Sequence, residues 1–154
     1  MITTKVSVDP VLAEYAQGRF FDTRCGAVLF PDTSDMYVTL WDLLTRRPAD
    51  SPVDRGNLEI ALPNRREGKR PETYNYISAR GADIIGRRLR VMMYAELHDL
   101  MEQNKHLAGI QYRDTVHQFM ARYGIEAVGE DALLKNYQRW RDKARRRIKR
   151  PYRN

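Results

Sequence analysis

The sequence predicts a predominantly helical α+β protein, and three observations lead to that class. Short β-prone segments with alternating apolar residues lie between residues 2 and 77. Apolar residues recur at helical spacing over residues 79–106, and again on two helices after residue 110. We therefore predict a small N-terminal body that contains a β-hairpin, a long central helix and a C-terminal module of two helices. The α+β body covers 1–106 and the basic helical module covers 107–154.

The N-terminal body begins with a strand and a capped helix. Residues 2–8 alternate in polarity, which indicates a half-buried strand. Asp9-Pro10 follows as the N-cap and the first helical residue of a helix that ends near Gly18. The apolar run 27–30 indicates a second strand, and a second helix is capped at residue 34 or 35.

A basic hairpin is predicted in the second part of the body. After a loop over 45–56, the segments 58–62 and 73–77 are both β-prone and are expected to pair. The loop between them, PNRREGKRPE, carries four cations against two carboxylates. It could touch a phosphate backbone, and the alternative is a plain solvated turn. The secondary nucleic-acid patch predicted here comprises Arg65, Arg66, Lys69 and Arg70.

Three helices are predicted in the remainder of the chain. Residues 79–106 carry one apolar stripe after a Ser78 cap, and the helix would span about 40 Å, enough for the backbone of the body or a homodimer contact. A helix over 112–123 ends at Gly124, where a C-cap favours glycine. The last apolar stripe begins after the acidic pair at residues 130 and 131.

The positive charge of the chain is concentrated at its C-terminal end. Residues 1–70 carry ten basic and ten acidic side chains, residues 71–130 carry seven and eight, and residues 131–154 carry ten and two. The last segment alone therefore has a net charge of +8, against +7 for the chain. Such asymmetry is typical of a localised footprint for a polyanion, and the alternative is a solubilising tail.

The cations of the last helix fall mostly off its apolar stripe, so one face packs and the rest is basic. Such a helix fits the major groove, where arginine pairs with guanine and basic side chains neutralise phosphates. Amide side chains at residues 136 and 138 can read adenine. We therefore predict duplex DNA as the partner. The predicted contact residues are Lys135, Asn136, Arg139, Lys143, Arg145, Arg146, Arg147, Lys149 and Arg150.

The segment HQFMARYGIEAVGEDALLKNYQRWRDKARRRIKR, 34 residues of 154, resembles homeodomain-like helix-turn-helix DNA-binding proteins. Gly124-Ile125 match the turn glycine and the apolar residue after it, and NYQRWRDKARRR matches an aromatic-anchored basic helix. The connector is several residues longer than in that family, and Met120 stands where a small residue is usual. More loosely, the whole chain is similar to small basic proteins of bacterial transposable prophages and mobile elements. That similarity implies a regulator or accessory factor acting on the DNA of the element.

The motifs of common enzyme classes are absent from the sequence. It contains no P-loop, GxGxxG, GxSxG, HExxH or paired CxxC motif. His98, Glu102 and His106 follow one another at steps of four, but the outer two would lie about 12 Å apart, too far for one ion. We therefore predict a binding protein that is not an enzyme, with no catalytic residue, metal or cofactor.

The sequence also predicts where the protein is found and leaves two alternative functions open. A single cysteine, Cys25, and the lack of a long apolar run or signal peptide predict a cytoplasmic, nucleoid-associated protein without a membrane partner. One alternative is an RNA or single-strand binder in which Tyr74, Tyr76, Tyr152 or Trp140 stacks bases. The other is a phage structural or assembly protein whose basic end meets an acidic partner.

Overall fold

The computed structural model describes residues 1–51, 54–65 and 67–149, except for the side chain of residue 149. The helices in these residues are Pro10–Phe20 (α1), Asp35–Leu43 (α2), Ala79–Ala108 (α3), Tyr112–Tyr123 (α4) and Glu130–Lys149 (α5). The strands are Thr3–Val6 (β1), Phe21–Asp22 (β2), Ala27–Val28 (β3), Thr45–Arg46 (β4), Leu58–Ala61 (β5) and Tyr74–Tyr76 (β6). The predominantly helical α+β class predicted from the sequence is confirmed.

Side chains and glycines at the helix ends explain where the helices start and stop. The Asp9 carboxylate accepts a hydrogen bond from the backbone N–H of Val11, and Ser78 accepts one from Gly81 at the start of α3. Gly109 and Gly124 end α3 and α4 in the left-handed conformation, with φ of 65° and 66°. The predicted termini at Asp9, Ser78 and Gly124 are thus confirmed, whereas α1 continues two residues beyond Gly18 and α3 two residues beyond His106.

The strands form two sheets, and their pairing differs from the prediction. In the larger sheet the order is β1-β5-β3-β2, with β5 antiparallel to β1 and parallel to β3. In the smaller sheet β6 pairs with β4. The basic hairpin predicted from 58–62 and 73–77 is therefore wrong. Leu58 and Ile60 are fully buried, so β5 takes a central position with a strand on each side. The body does contain a β-hairpin, which β2 and β3 form.

One hydrophobic core runs through the described part of the chain, and α3 is its axis. Ile85, Leu89, Met93, Leu97 and Met101 of α3 are each completely buried, and they recur at helical spacing. The core continues from the sheet, through α1 and α2, to α4 and α5. The predicted boundary at residue 107 falls in the last turn of α3, and the core is continuous on both sides of it.

Helix α1 makes the main link between the sheet and the C-terminal helices. The ring of Tyr15 lies 6.0 Å from that of Phe119 and 5.3 Å from that of Tyr123, both on α4. The Glu14 carboxylate accepts hydrogen bonds from the backbone N–H groups of Glu126 and Ala127, at 3.0 and 2.8 Å. The connector between α4 and α5 is thereby held against α1.

Among the residues that the structure describes, none belongs to a helix that is both long and apolar enough to cross a bilayer.

Candidate nucleic-acid interface

The inner face of α5 packs between α3 and α4. Leu133 and Tyr137 are completely or almost completely buried there. The Tyr137 ring lies 4.8 Å from the ring of Tyr112 on α4, and its hydroxyl group donates a hydrogen bond to Glu102 on α3. Burial and this carboxylate raise the pKa of Tyr137, so its hydroxyl stays protonated. This tyrosine therefore anchors α5 to both neighbouring helices.

An ion pair and a hydrogen bond to α4 fix the first turn of α5. Arg113 Nη2 lies 2.9 Å from Asp131 Oδ1, and His117 Nδ1 lies 2.7 Å from Glu130 Oε1. Two carboxylates in a first turn also complement the positive end of the helix dipole. Each surface pair contributes little to stability, on the order of 0–1 kcal/mol, but together they define where α5 begins.

A histidine on α3 completes the seat of α5. His98 Nε2 lies 2.8 Å from the Oδ1 atom of Asn136, and the His98 ring lies 4.9 Å from that of Trp140. Burial lowers the pKa of His98 below its usual 6.5, so the neutral imidazole is the favoured form. Asn136, predicted to contact DNA, thus faces α3, and its carbonyl oxygen already has a partner.

The cations of α5 that were predicted to contact DNA lie on the exposed side of the helix. At about 100° per residue, Lys135, Arg139 and Arg146 point away from the buried face of the helix. No carboxylate within the described residues forms an ion pair with a cation between residues 135 and 147. The exposed members of the predicted set are Lys135, Arg139, Lys143, Arg145, Arg146 and Arg147.

The second half of α5 extends beyond the body of the protein. Tyr137 is the last buried residue of α5 in the described part, and Ile148 is 70% exposed. The nine residues 141–149 correspond to about 13 Å of helix. The side chain of Lys149 and the whole of Arg150, both predicted contacts, lie outside the described residues.

The predicted secondary patch lies on α2 and does not form a free hairpin tip. Lys69 Nζ donates hydrogen bonds to the backbone carbonyls of Trp41 and Asp42, at 2.8 and 3.1 Å, and so caps the C-terminal end of α2. The Arg65 guanidinium lies over two aromatic rings of α2, while its side chain remains exposed. Arg70 is exposed, and Arg66 falls outside the described residues.

A further exposed cation near this patch was missed from the sequence. The Arg46 guanidinium lies 5.5 Å from the ring centre of Tyr74, across the pair of strands β4 and β6. Residues 45–56 were predicted to form a loop, so nothing in the sequence linked Arg46 to an aromatic residue. The β-prone stretch Tyr74–Tyr76 was the available signal, because such a stretch needs a strand partner.

The spaced histidines and glutamate of α3 make separate contacts. His98 faces Asn136, whereas Glu102 accepts from Tyr137 and lies 3.1 Å from His106 Nε2. Within the described residues, no group of three or more His, Cys, Asp or Glu side chains could hold a metal ion. These three side chains therefore serve helix contacts in this fold.

Comparison with known proteins gives no relative. No protein-family model, curated protein or solved structure matches the chain. The function of the α5 surface must therefore be inferred from its own geometry and charge.

Proposed function

We propose that the protein binds duplex DNA through the exposed face of α5. One observation carries the proposal: a helix seated by Leu133 and Tyr137 on one side presents, on the other, cations that form no ion pair within the described part of the chain. Between residues 135 and 149 the sequence has eight cations and one carboxylate. A solubilising tail has no need of a buried tyrosine anchor, whereas a DNA-reading helix needs a fixed orientation.

Affinity would come from the release of counterions, and position on the duplex from contacts with phosphates. A helix of 20 residues is about 30 Å long and fits a major groove about 12 Å wide. Gln138 is exposed and can offer its amide group to a base edge, while Asn136 is engaged by α3. The exposed guanidinium groups of Arg139 and Arg146 can each donate two hydrogen bonds to a guanine edge.

The resemblance to helix-turn-helix proteins supports the same proposal. Helices α4 and α5 flank a glycine-containing connector, and α3 packs against both. The looser similarity to proteins of mobile elements supports a role as a regulator or accessory factor on bacterial element DNA.

The test is a titration of a labelled duplex of 30 base pairs, followed by fluorescence anisotropy at 50 and 200 mM salt. The triple variant Lys135→Gln, Arg139→Gln, Arg146→Gln removes three cations from the exposed face of α5. Three phosphate contacts account for about 40-fold in affinity between these salt concentrations, since each contributes ~0.9 to the logarithmic slope. We expect the variant to bind more weakly and to lose about that much salt dependence.

A matched control removes the same charge from α3. Arg80, Arg87 and Arg88 are exposed there, and the variant in which all three become glutamine has the same net charge as the α5 variant. We expect it to bind duplex DNA nearly as well as the unaltered chain. Equal losses in the two variants would reduce the interaction to net charge, and unchanged binding by the α5 variant would rule out α5 as the interface.

A further inference from the structure

A second basic surface lies on the body of the protein, where arginines cover aromatic rings. We call it the arginine–aromatic surface, and its members are Tyr37, Trp41, Arg46, Arg65 and Tyr74. The Arg65 guanidinium lies 4.9 Å from the ring centre of Tyr37 and 5.0 Å from that of Trp41. The Arg46 guanidinium covers the ring of Tyr74 at 5.5 Å.

Cations lie over aromatic rings in several parts of the described chain, and this surface combines two such groups. Here two arginines cover three rings between residues 37 and 74. The three rings are half-buried and the two arginines are exposed, so the guanidinium groups form the outer layer.

The neighbouring Arg47 also lies over an aromatic ring, that of Tyr76 at 5.6 Å, but its polar contacts differ from those of Arg46 and Arg65. Arg47 is partly buried, lies 2.6 Å from Asp54 Oδ1, and donates hydrogen bonds to the backbone carbonyls of Ser51 and Asn75. Arg46 and Arg65 have no such carboxylate partner within the described residues. Their charge is therefore free to meet an anion.

Arg65 with its two rings forms one group of this surface, and Arg46 with Tyr74 forms the other. The two groups are connected by short segments of the chain. Trp41 and Arg46 are five residues apart, which limits their Cα separation to about 17 Å. On the other side, the backbone N–H of Tyr74 donates a 2.7 Å hydrogen bond to the carbonyl of Arg70, which is itself exposed. A distance of about 17 Å can be covered by a few nucleotides of a single strand.

We propose that the arginine–aromatic surface binds unpaired nucleotides. Single strands are bound by planar groups on which bases stack, beside cations that follow the phosphates. Guanidinium planes supported by tyrosine and tryptophan rings supply both. In a duplex the faces of the bases are stacked on one another, so this surface favours unpaired strands. The inference is independent of duplex binding by α5.

The experiment follows Trp41 while a strand binds. The chain has two tryptophans, and Trp140→Phe leaves Trp41 as the only one. We expect oligothymidylate of 15 nucleotides to quench the Trp41 fluorescence of this variant at 50 mM salt, because a base stacks beside the indole. Oligouridylate of equal length shows whether the 2′-hydroxyl matters; quenching by either strand supports the proposal. Absence of quenching and of binding with both strands overturns it.

Matched variants separate this surface from general charge. Arg46→Gln with Arg65→Gln should weaken oligonucleotide binding at least tenfold, while Arg87→Gln with Arg88→Gln, exposed arginines of α3, should weaken it less than threefold. Arg65→Lys keeps the charge but removes the plane, and should lose most of the Trp41 quenching. Equal losses in the two glutamine pairs contradict the proposal. So does loss of strand binding in the α5 triple variant alone, because the strand would then occupy α5.

Discussion

At the scale of single residues, His98 of α3 contacts three residues of α5. Its imidazole meets the side-chain amide of Asn136 and the rings of Tyr137 and Trp140, all on α5, and the ring of Tyr94 on its own helix. No cation or carboxylate is hydrogen-bonded to it within the described residues. A protonated imidazole at this position would lose hydration without gaining a counter-charge.

This environment predicts a decrease in stability at mildly acidic pH. The pKa of His98 is lower in the folded chain than the 6.5 of an exposed histidine, so the unfolded chain binds more protons over the interval below 6.5. Near pH 7.5, His98 should therefore add no pH dependence to the free energy of unfolding. As the pH drops below about 6.5, this free energy should fall. Urea unfolding at pH 5.5, 6.5 and 7.5 measures this directly.

The other two histidines provide the control. The variant in which His106 and His117, both exposed, become glutamine should keep the pH dependence, whereas His98→Gln should flatten it over this interval. The comparison uses the slope with pH, so it holds even where His98→Gln lowers stability at every pH. If the free energy of unfolding of His98→Gln keeps the full slope with pH, the pH dependence comes from the carboxylates of the chain and not from His98.

At the scale of elements, α5 consists of two parts with different support. Its first part is fixed by Leu133, Tyr137 and the ion pair and hydrogen bond of the first turn. Beyond residue 141 it has no buried side chain in the described part, and like charges stand four residues apart, as in Arg141 and Arg145. Such pairs destabilise a helix, and a short unsupported helix is marginal in water.

Hydrogen exchange should therefore divide α5 near residue 141. We expect backbone amides at 143–149 to exchange at least tenfold faster than those at 134–140 in the free protein. Addition of the duplex of 30 base pairs should slow exchange in the second part, because phosphates neutralise the like charges. Exchange in α4 serves as an internal reference and should not change. Uniform slow exchange along the free α5 would contradict the division.

The success of sequence analysis also differs between kinds of element. Helices were predictable because their signals are local: the Asp9 and Ser78 caps and the glycines after α3 and α4 act within a few residues. Strand pairing is non-local, so nothing near Leu58–Ala61 could show that β1, more than 50 residues earlier in the chain, would be its partner. For the same reason, contacts such as Arg46 with Tyr74 and His98 with Asn136 required the fold.

At the scale of the whole molecule, α1 joins the two predicted regions into one core. Glu14 binds the connector after α4, Tyr15 packs on α4, and burial beside Glu96 raises the pKa of Tyr15 to about 12. Gly18 lies against the backbone of Tyr123, so closely that a methyl group at residue 18 would overlap the carbonyl of that residue. We therefore expect the body and the C-terminal helices to unfold together.

A pair of glycine substitutions tests this coupling. Gly18→Ala forces α1 and α4 apart and should destabilise the fold by about 1–3 kcal/mol or more. Gly86→Ala is the matched control within α3: its new methyl group would have the Val8 Cγ1 atom as its nearest neighbour, at 3.8 Å, and φ there is not left-handed. Alanine at residue 86 should therefore stabilise the fold by about 0.4–1 kcal/mol, because it restricts the unfolded chain.

Tryptophan fluorescence reports on the two regions separately during the same urea titrations. Trp41 follows the body in a Trp140→Phe background, and Trp140 follows α5 in a Trp41→Phe background. With a single core, each glycine substitution should change the free energy of unfolding by the same amount at both tryptophans. Gly18→Ala could instead lower the urea concentration at the midpoint of the Trp140 transition and leave the midpoint of the Trp41 transition unchanged. Residues 107–154 would then unfold as a separate domain, and the core would not be cooperative across residue 107.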